Sequence, residues 1–408
     1  MLKLLQRAAT AGENGQQSEI IHCLHQLPSQ KCGAREIFLL SSDEAQQVVQ
    51  LATRVLEAGD FQERWEIARL WSKLGTIAIA PVISLLQDEE AEWEVRWFAA
   101  RILGEFEQPE AIAALVETLQ TSEDEELAAM AASVLASFGP RAVEGLAPLL
   151  QQPETKELAA RSLSQIRCTE TIDPLLALVE DTDSRLRALA LEALSSFRDS
   201  RIPPVLIEAL SDPAPAARKE AAIGLGLRPE LATTLNLVSR LKPLLYDRDG
   251  VVRTAAAIAL GRIGTPDASA LLFETLIDET NPFPLQKTLI HALIWVETSE
   301  TLDYLCRALP FVSPLCIEEI IKALGRIKSP NLQPQAVQIL LSIERERGER
   351  AIAIKQALAR AWGQLRHESA ISALQQLRHD ANERVRLHAL AALEQFQDAL
   401  VSVELKQG

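Results

Sequence analysis

Aromatic residues are scarce in this chain. They make up 4% of its 408 residues, with two tyrosines and six tryptophans. The apolar content is instead largely Ala and Leu, which suits closely packed helices, and no segment alternates with the period of two that marks a strand. Cysteine is also limited: five residues, an odd number without tight spacing, do not make a disulfide framework. Long hydrophobic runs are missing. The opening stretch MLKLLQRAATAGENGQ is too short in apolar residues for a signal peptide, and no later run approaches membrane-spanning length. The expectation is a cytoplasmic protein with no integral membrane segment. Basic residues are outnumbered, 41 against 56 acidic, for a net charge of −15. Such a field repels phosphate backbones and argues against a nucleic-acid partner. Catalytic signatures are missing as well: there is no Gly-rich phosphate loop, no G-x-S-x-G and no H-E-x-x-H. The chain therefore reads as non-catalytic.

What is present is self-similarity. The pattern V-R-x-x-A-A-x-x-L-G-x-I recurs as VRWFAARILGEF (95–106), VRTAAAIALGRI (252–263) and VRLHALAALEQF (385–396). Weaker copies bring the total to eleven, ending at 74, 106, 138, 166, 197, 228, 263, 296, 327, 365 and 396. Between copies lies a second helical segment such as PEAIAALVETLQ (109–120), with apolar Ile112, Leu115, Val116 and Leu119 on one stripe. Asp/Pro-rich turns such as SDPAPA (211–216) and DRDG (247–250) separate the segments. Each unit then reads as two antiparallel helices that bury their apolar faces only by stacking on neighbours. Small residues at positions 5, 6 and 10 of the pattern (Ala99, Ala100 and Gly104 in one copy) permit close helix approach. Pro81, Pro148, Pro174 and Pro243 should bend or break the first helix of their pairs.

This pattern, with an Asp before V-R-x-x-A-A-x-A-L-G, resembles the short HEAT-like repeats of the phycobilisome-lyase type. The resemblance implies an all-α fold, an α-α superhelix or HEAT-repeat solenoid of about eleven two-helix repeats. Residues 61–398 would form the array, 1–60 an N-terminal helical cap with SQKCG (29–33) as a loop, and 399–408 a C-terminal tail. In the cap, SSDEAQQVVQLATRVLEAG (41–59) reads as a helix started by Ser42 or Asp43 and stopped by Gly59. The resemblance also implies a phycobilisome-bearing source. It implies that the basic residues at position 2 (Arg64, Arg96, Lys156, Arg187, Arg218, Arg253, Lys355 and Arg386) form a structural ladder to carbonyls or an Asp of a neighbouring turn. Ala128, Gln286 and Ile317 interrupt that ladder.

Some residues are not dictated by the repeat. Trp65, Arg69, Trp93, Trp97, Phe98 and Arg101 concentrate aromatic and basic character in two adjacent copies. Trp65 and Trp97 share position 3, and Arg69 and Arg101 share position 7, on the helix that lines the concave face in HEAT-like arrays. Such a cluster has the composition of a protein-binding hot spot and could also stack on a flat conjugated ligand. Alternatively, the tryptophans close the core against the cap. Trp71, at a position normally Leu, reads as core. The stretch HCLHQLPSQKC offers Cys23 and Cys32, with His22 and His25, as ligands, although its spacing matches no zinc or iron–sulfur signature. Cys306 and Cys316 fall on apolar faces, and Cys168 in an inter-repeat turn.

Three functions follow. The first is a scaffold or assembly factor holding a protein partner on the concave face, in photosynthetic antenna or cofactor-protein biogenesis. The second, implied by the resemblance, is a phycobilin lyase or bilin-binding chaperone subunit that holds propionates and rings through Arg69, Arg101 and Trp97. The third is an iron–sulfur cluster carrier that depends on Cys23 and Cys32. A HEAT-repeat hydroxylase is disfavoured, since its di-iron site needs several His-Glu pairs and His367-Glu368 is the one such pair here.

Overall fold

The structure is a computed structural model that describes residues 1–32, 35–347 and 352–407, with side chains for all of these except 32, 35, 347 and 397–407. The chain divides into two compact units, Met1–Leu194 and Ser195–Gly408.

The first unit begins with α1 (Leu2–Glu13) and α2 (Gln17–His25), followed by a two-stranded antiparallel hairpin, β1 (Ser29–Cys32) and β2 (Arg35–Phe38). The hairpin corrects the expectation of a loop at 29–33. It is too short to show a periodic signal and is held by tertiary contacts. Phe38 is buried, Lys73 lies 5.7 Å from its ring, and Lys73 also pairs with Glu36 at 2.7 Å. Helix α3 (Ser42–Ala58) follows, its N-terminus capped by Ser41 rather than Ser42 or Asp43. The Ser41 hydroxyl accepts from the Glu44 amide and the Glu44 carboxylate accepts from the Ser41 amide, a reciprocal capping box. Gly59 ends the helix in extended backbone, as the sequence implied.

The helical pairs continue through α4 (Phe61–Trp71), α5 (Ile79–Gln87), α6 (Trp93–Leu103), α7 (Pro109–Thr121), α8 (Glu125–Ser137), α9 (Pro140–Leu146), α10 (Pro153–Gln165), α11 (Ile172–Leu178) and α12 (Ser184–Leu194). The second unit holds α13 (Ile202–Ala209), α14 (Pro215–Gly226), α15 (Leu237–Leu241), α16 (Gly250–Ile263), α17 (Pro266–Leu276) and α18 (Phe283–Val296). It continues with α19 (Ser299–Ala308), α20 (Pro314–Leu324), α21 (Gln333–Arg347), α22 (Ile352–Leu365), α23 (Ile371–Leu377) and α24 (Glu383–Gln407). All eleven copies of the pattern fall on the even-numbered helices from α4 to α24. Within each unit every such helix packs on the next even-numbered one, so the copies in each unit form a row.

Position 10 explains how closely they pack. A Cβ on Gly226 would lie 2.6 Å from the Ala259 Cα, and one on Gly261 would lie 2.8 Å from the Ala292 Cβ. Gly325 meets Ala361 and Gly363 meets Ala392 in the same way. The glycine at position 10 of one repeat thus seats position 8 of the next helix. Position 9 is core: Trp71 and Trp362 are fully buried there, as expected of Trp71.

The prolines divide into two behaviours. Pro148 and Pro243 fall in 3-10 segments, Ala147–Gln151 and Lys242–Tyr246, where the α-helix has already given way. Pro81 and Pro174 occupy the first turns of α5 and α11, where no intrahelical amide bond is lost. One further correction concerns long apolar runs. By length and composition alone, Phe61–Gln87 would suffice to cross a membrane. Its path is broken at Gly75 (φ 65°, ψ −150°), and its two halves are α4 and α5, which pack within the repeats.

The position-2 residues form the ladder. Arg187, Arg218, Arg253 and Arg386 each donate to a carbonyl six residues back, those of Asp181, Asp212, Asp247 and Asp380. The carboxylates of three turn aspartates reach the preceding repeat: Asp181 accepts from Lys156 at 2.9 Å, Asp247 from Arg218 at 2.7 Å and Asp380 from Lys355 at 2.6 Å. Each of these aspartates also accepts from the amide two residues on. The bridging carboxylates are therefore Asp181, Asp247 and Asp380, while Asp183 and Asp249 accept from amides at the starts of α12 and α16. Where the basic residue is missing at Gln286, the Cys316 thiol donates to its amide oxygen at 3.1 Å.

Candidate binding face

Helix α4 is capped by a second box, Asp60 with Glu63, which fixes where its first residues emerge. Its inward stripe is Arg64, Ile67, Ala68, Leu70 and Trp71; that of α6 is Val95, Phe98, Ala99, Ala100, Ile102 and Leu103. Helical geometry then turns positions 3 and 7 outward. Trp65 and Trp97 are half-buried, and Arg69 and Arg101 are exposed. Trp93, the first residue of α6, is 49% exposed.

The structure brings Trp65, Trp97, Phe98 and Arg101 together around a centre that the sequence assigned differently, while among the described residues Trp93 and Arg69 make no ring or ion-pair contact with them. Phe98 was grouped with the exposed binding residues, but it is 1% exposed. It sits at position 4, on the core stripe, and forms the floor of the cluster. The Trp97 ring meets it edge-on at 5.2 Å and the Trp65 ring edge-on at 6.4 Å. The contact between repeats is not tryptophan on tryptophan. Beside the Trp65 contact with Phe98, it is the Arg101 guanidinium lying 4.1 Å from the Trp65 ring centroid. At a partly exposed site such a contact contributes about 0.5–1 kcal/mol, enough to orient both side chains.

Sequence reasoning missed Phe61. It is 59% exposed, stacks on Trp65 at 6.1 Å and tilts against Phe98 at 5.5 Å. Its spacing four residues before Trp65 was the available signal, since residues at i and i+4 share a helix face. Phe61 and Trp93 are each about half open to solvent.

Below the rings, Arg64 is 4% exposed and fully used. Its guanidinium donates to the Leu56 and Glu57 carbonyls at the end of α3, to Glu92 at 2.6 Å and to Glu94. One arginine thus ties three helices into a rigid base under the aromatic surface.

The ligand-like stretch is arranged otherwise. Cys23 is buried on the inward face of α2, with its thiol 3.7 Å from the Glu19 carboxylate. Burial, then the Glu19 charge, pushes that thiol above its ordinary pKa, which favours the protonated form over a metal-binding thiolate. His22 and His25 are exposed, and His22 pairs with Gln26 at 2.7 Å. The Cys32 side chain lies outside the described residues. Among the described residues no three His, Cys, Asp or Glu side chains are grouped to hold a metal ion. Cys316 is buried and Cys168 partly exposed, as their places in the repeat implied, whereas Cys306 is partly exposed although it falls on an apolar face.

The profile of HEAT repeats matches residues 39–136, 79–158, 143–226 and 203–294, more than half of the chain. The chain belongs to the HEAT-repeat family. A curated relative, the uncharacterized phycocyanin operon protein Z of Pseudanabaena tenuis (strain PCC 7409), is 29% identical over 140 residues, which are 33% of this chain and 68% of that protein. Among solved structures, Kap95p with RanGDP matches at TM-score 0.55 and 13% identity, over 97% of this chain and 62% of that one. Importin beta, crystallised from polyethylene glycol, matches at TM-score 0.55 and 12% identity, over 96% and 65%. The HEAT protein spans just under two thirds of both solved chains, and at these identities the likeness concerns the fold: an all-α HEAT-repeat solenoid.

Proposed function

We propose that this HEAT protein is a non-catalytic scaffold that holds a protein partner during the assembly of a photosynthetic antenna, and that the partner is a phycocyanin subunit. The observation that supports it most is the aromatic–basic surface of α4 and α6. Phe61, Trp65, Trp93 and Trp97 are partly exposed in adjacent repeats, flanked by Arg69 and Arg101 and braced from below by Phe98 and Arg64. Large rigid side chains that are oriented before binding lose little entropy on docking, which is why Trp and Arg dominate hot spots. The choice of partner rests on the name of the Pseudanabaena relative.

The test is calorimetric titration of the purified protein with isolated phycocyanin subunits, with and without chromophore. Trp97→Ala combined with Arg101→Ala should weaken binding by about thirtyfold or more, since truncating even one hot-spot residue costs about 2 kcal/mol or more. Binding that is unchanged in the folded double variant rejects the site. The bilin reading gives a different outcome: the protein would take up a free open-chain tetrapyrrole and acquire a red absorption band that the same substitutions remove.

A further inference from the structure

The second unit carries a different surface on the same face of the repeat. Lys322 and Arg360 occupy position 7 of successive copies, and Arg326 and Gln364 occupy position 11. With Gln356 and Glu318 they line a groove of about 220 Å³ between α20 and α22, floored by Ala357 and Ala361. The alanines leave the floor shallow and uncharged, so the long side chains stand as walls.

The charges in this groove do not cancel. Glu318 is occupied by Lys322 at 2.7 Å. The neighbouring Glu319, 8% exposed, is occupied by His291 at 2.8 Å, with Lys287 at 3.9 Å. Arg326 and Arg360 are exposed, and among the described residues neither has a carboxylate partner. Arg360 donates to the His388 ring at 2.9 Å. That contact requires a neutral imidazole, and burial together with the Arg360 charge lowers the His388 pKa accordingly. Two guanidinium groups therefore face solvent beside one groove, in a chain whose net charge is −15.

We propose that this groove docks a short acidic peptide segment of a partner, with its carboxylates on Arg326 and Arg360 and its backbone against the amides of Gln356 and Gln364. The guanidinium fork matches a carboxylate in two parallel hydrogen bonds. The small volume suits one or two side chains rather than a nucleic-acid backbone. The acidic remainder of the chain is screened beyond about 8 Å at physiological salt, so the local arginines decide the sign. This surface is separate from the aromatic cluster and does not depend on the reading given for it.

The probe is a fluorescein-labelled Glu-Leu-Glu-Leu-Glu peptide titrated into the full-length protein by anisotropy, beside its Gln-Leu-Gln-Leu-Gln counterpart. The acidic peptide should bind about tenfold more tightly than the neutral one. Arg326→Gln with Arg360→Gln should remove that preference, and Arg360→Lys should retain part of it, because charge survives and the fork does not. Trp97→Ala with Arg101→Ala should leave peptide binding unchanged. Hydrogen exchange on the unaltered protein should show peptide-dependent protection confined to α20, α22 and α24. Equal binding of both peptides, undiminished binding to the arginine variant, protection elsewhere, or equally tight binding of an oligothymidine of matching charge would each overturn the assignment.

Discussion

Gly226→Ala is the substitution in which the repeat geometry makes its sharpest demand. Gly226 ends α14, and a Cβ there would lie 2.6 Å from the Ala259 Cα and 2.8 Å from its Cβ. Neither atom can rotate away, because both belong to the backbone frame of α16. The two helices must separate by several tenths of an ångström, and their packed neighbours with them. Overpacking of this kind costs about 1–3 kcal/mol. The gain in helix propensity offsets less than about 1 kcal/mol at a terminal position. The net loss is about 1–2 kcal/mol, which for a unit of this size lowers the melting temperature by about 3–6 °C. Thermal unfolding followed by circular dichroism reads that shift. Gly250→Ala is the control. It stands at the start of α16, where an added Cβ meets only the Arg253 guanidinium at 3.4 Å, and its melting temperature should stay within about 2 °C of the parent. Ala259→Gly introduced with Gly226→Ala should show favourable coupling of about 0.5 kcal/mol or more in a double-mutant cycle. A Gly226→Ala protein that melts at or above the parent would refute the close-approach argument.

Three further outcomes follow from the ladder and the cysteines. Arg64→Met should lower the melting temperature of the first unit by several degrees, since it leaves the Leu56 carbonyl unpaired at a cost of about 1–3 kcal/mol; Arg64→Lys should restore only part, and equal melting of Arg64→Met and parent would contradict the role. Asp247 and Asp380 are held below the usual Asp range by Arg218 and Lys355, and Asp181 ends below it because hydrogen bonds from Lys156 and the Asp183 amide outweigh its burial. Depressed folded-state values mean that their stabilisation is complete above an ordinary Asp pKa of about 3.9 and is lost as pH falls through the folded values. Melting temperature should therefore fall below about pH 4, and Asp247→Asn should flatten that fall; an unchanged acid profile would show that the bridge does not contribute. In a Cys32→Ser background, Cys23 and Cys316 should resist a thiol reagent at neutral pH until the protein unfolds, while Cys168 and Cys306 react first; rapid modification of Cys23 in the folded protein would reopen the ligand reading.

Much of the site was legible, and its errors have specific causes. The position-2 basic residues announced the ladder because four of them, Arg187, Arg218, Arg253 and Arg386, make the same local bond to their own turn, a relation fixed by a spacing of six residues. Which aspartate accepts from the preceding repeat was not legible, because Asp181 and Asp183, or Asp247 and Asp249, lie two residues apart in the same turn, and only their directions in space distinguish the bridge from the cap. The composition of the aromatic cluster was visible, but not its centre. Phe98 was placed outside because its neighbour Trp97 is, yet one residue is a turn of about 100° and moves a side chain from the exposed face to the core. Phe61 was missed because it precedes the repeat pattern.

The sequence by itself determined the all-helical class, the eleven copies and the positions of the core, since a fixed period of small and apolar residues stabilises one kind of local structure repeated many times. It also determined the glycines that let one repeat seat the next. Only the tertiary structure decided that residues 29–32 pair with 35–38, that Arg101 rests on Trp65, and that Arg326 and Arg360 stand without carboxylate partners among the described residues. The strand pair depends on its packing against Lys73, and the other two facts on which side chains of different repeats meet. Contacts about thirty residues apart are set by how the helices pack, and no local pattern contains that distance.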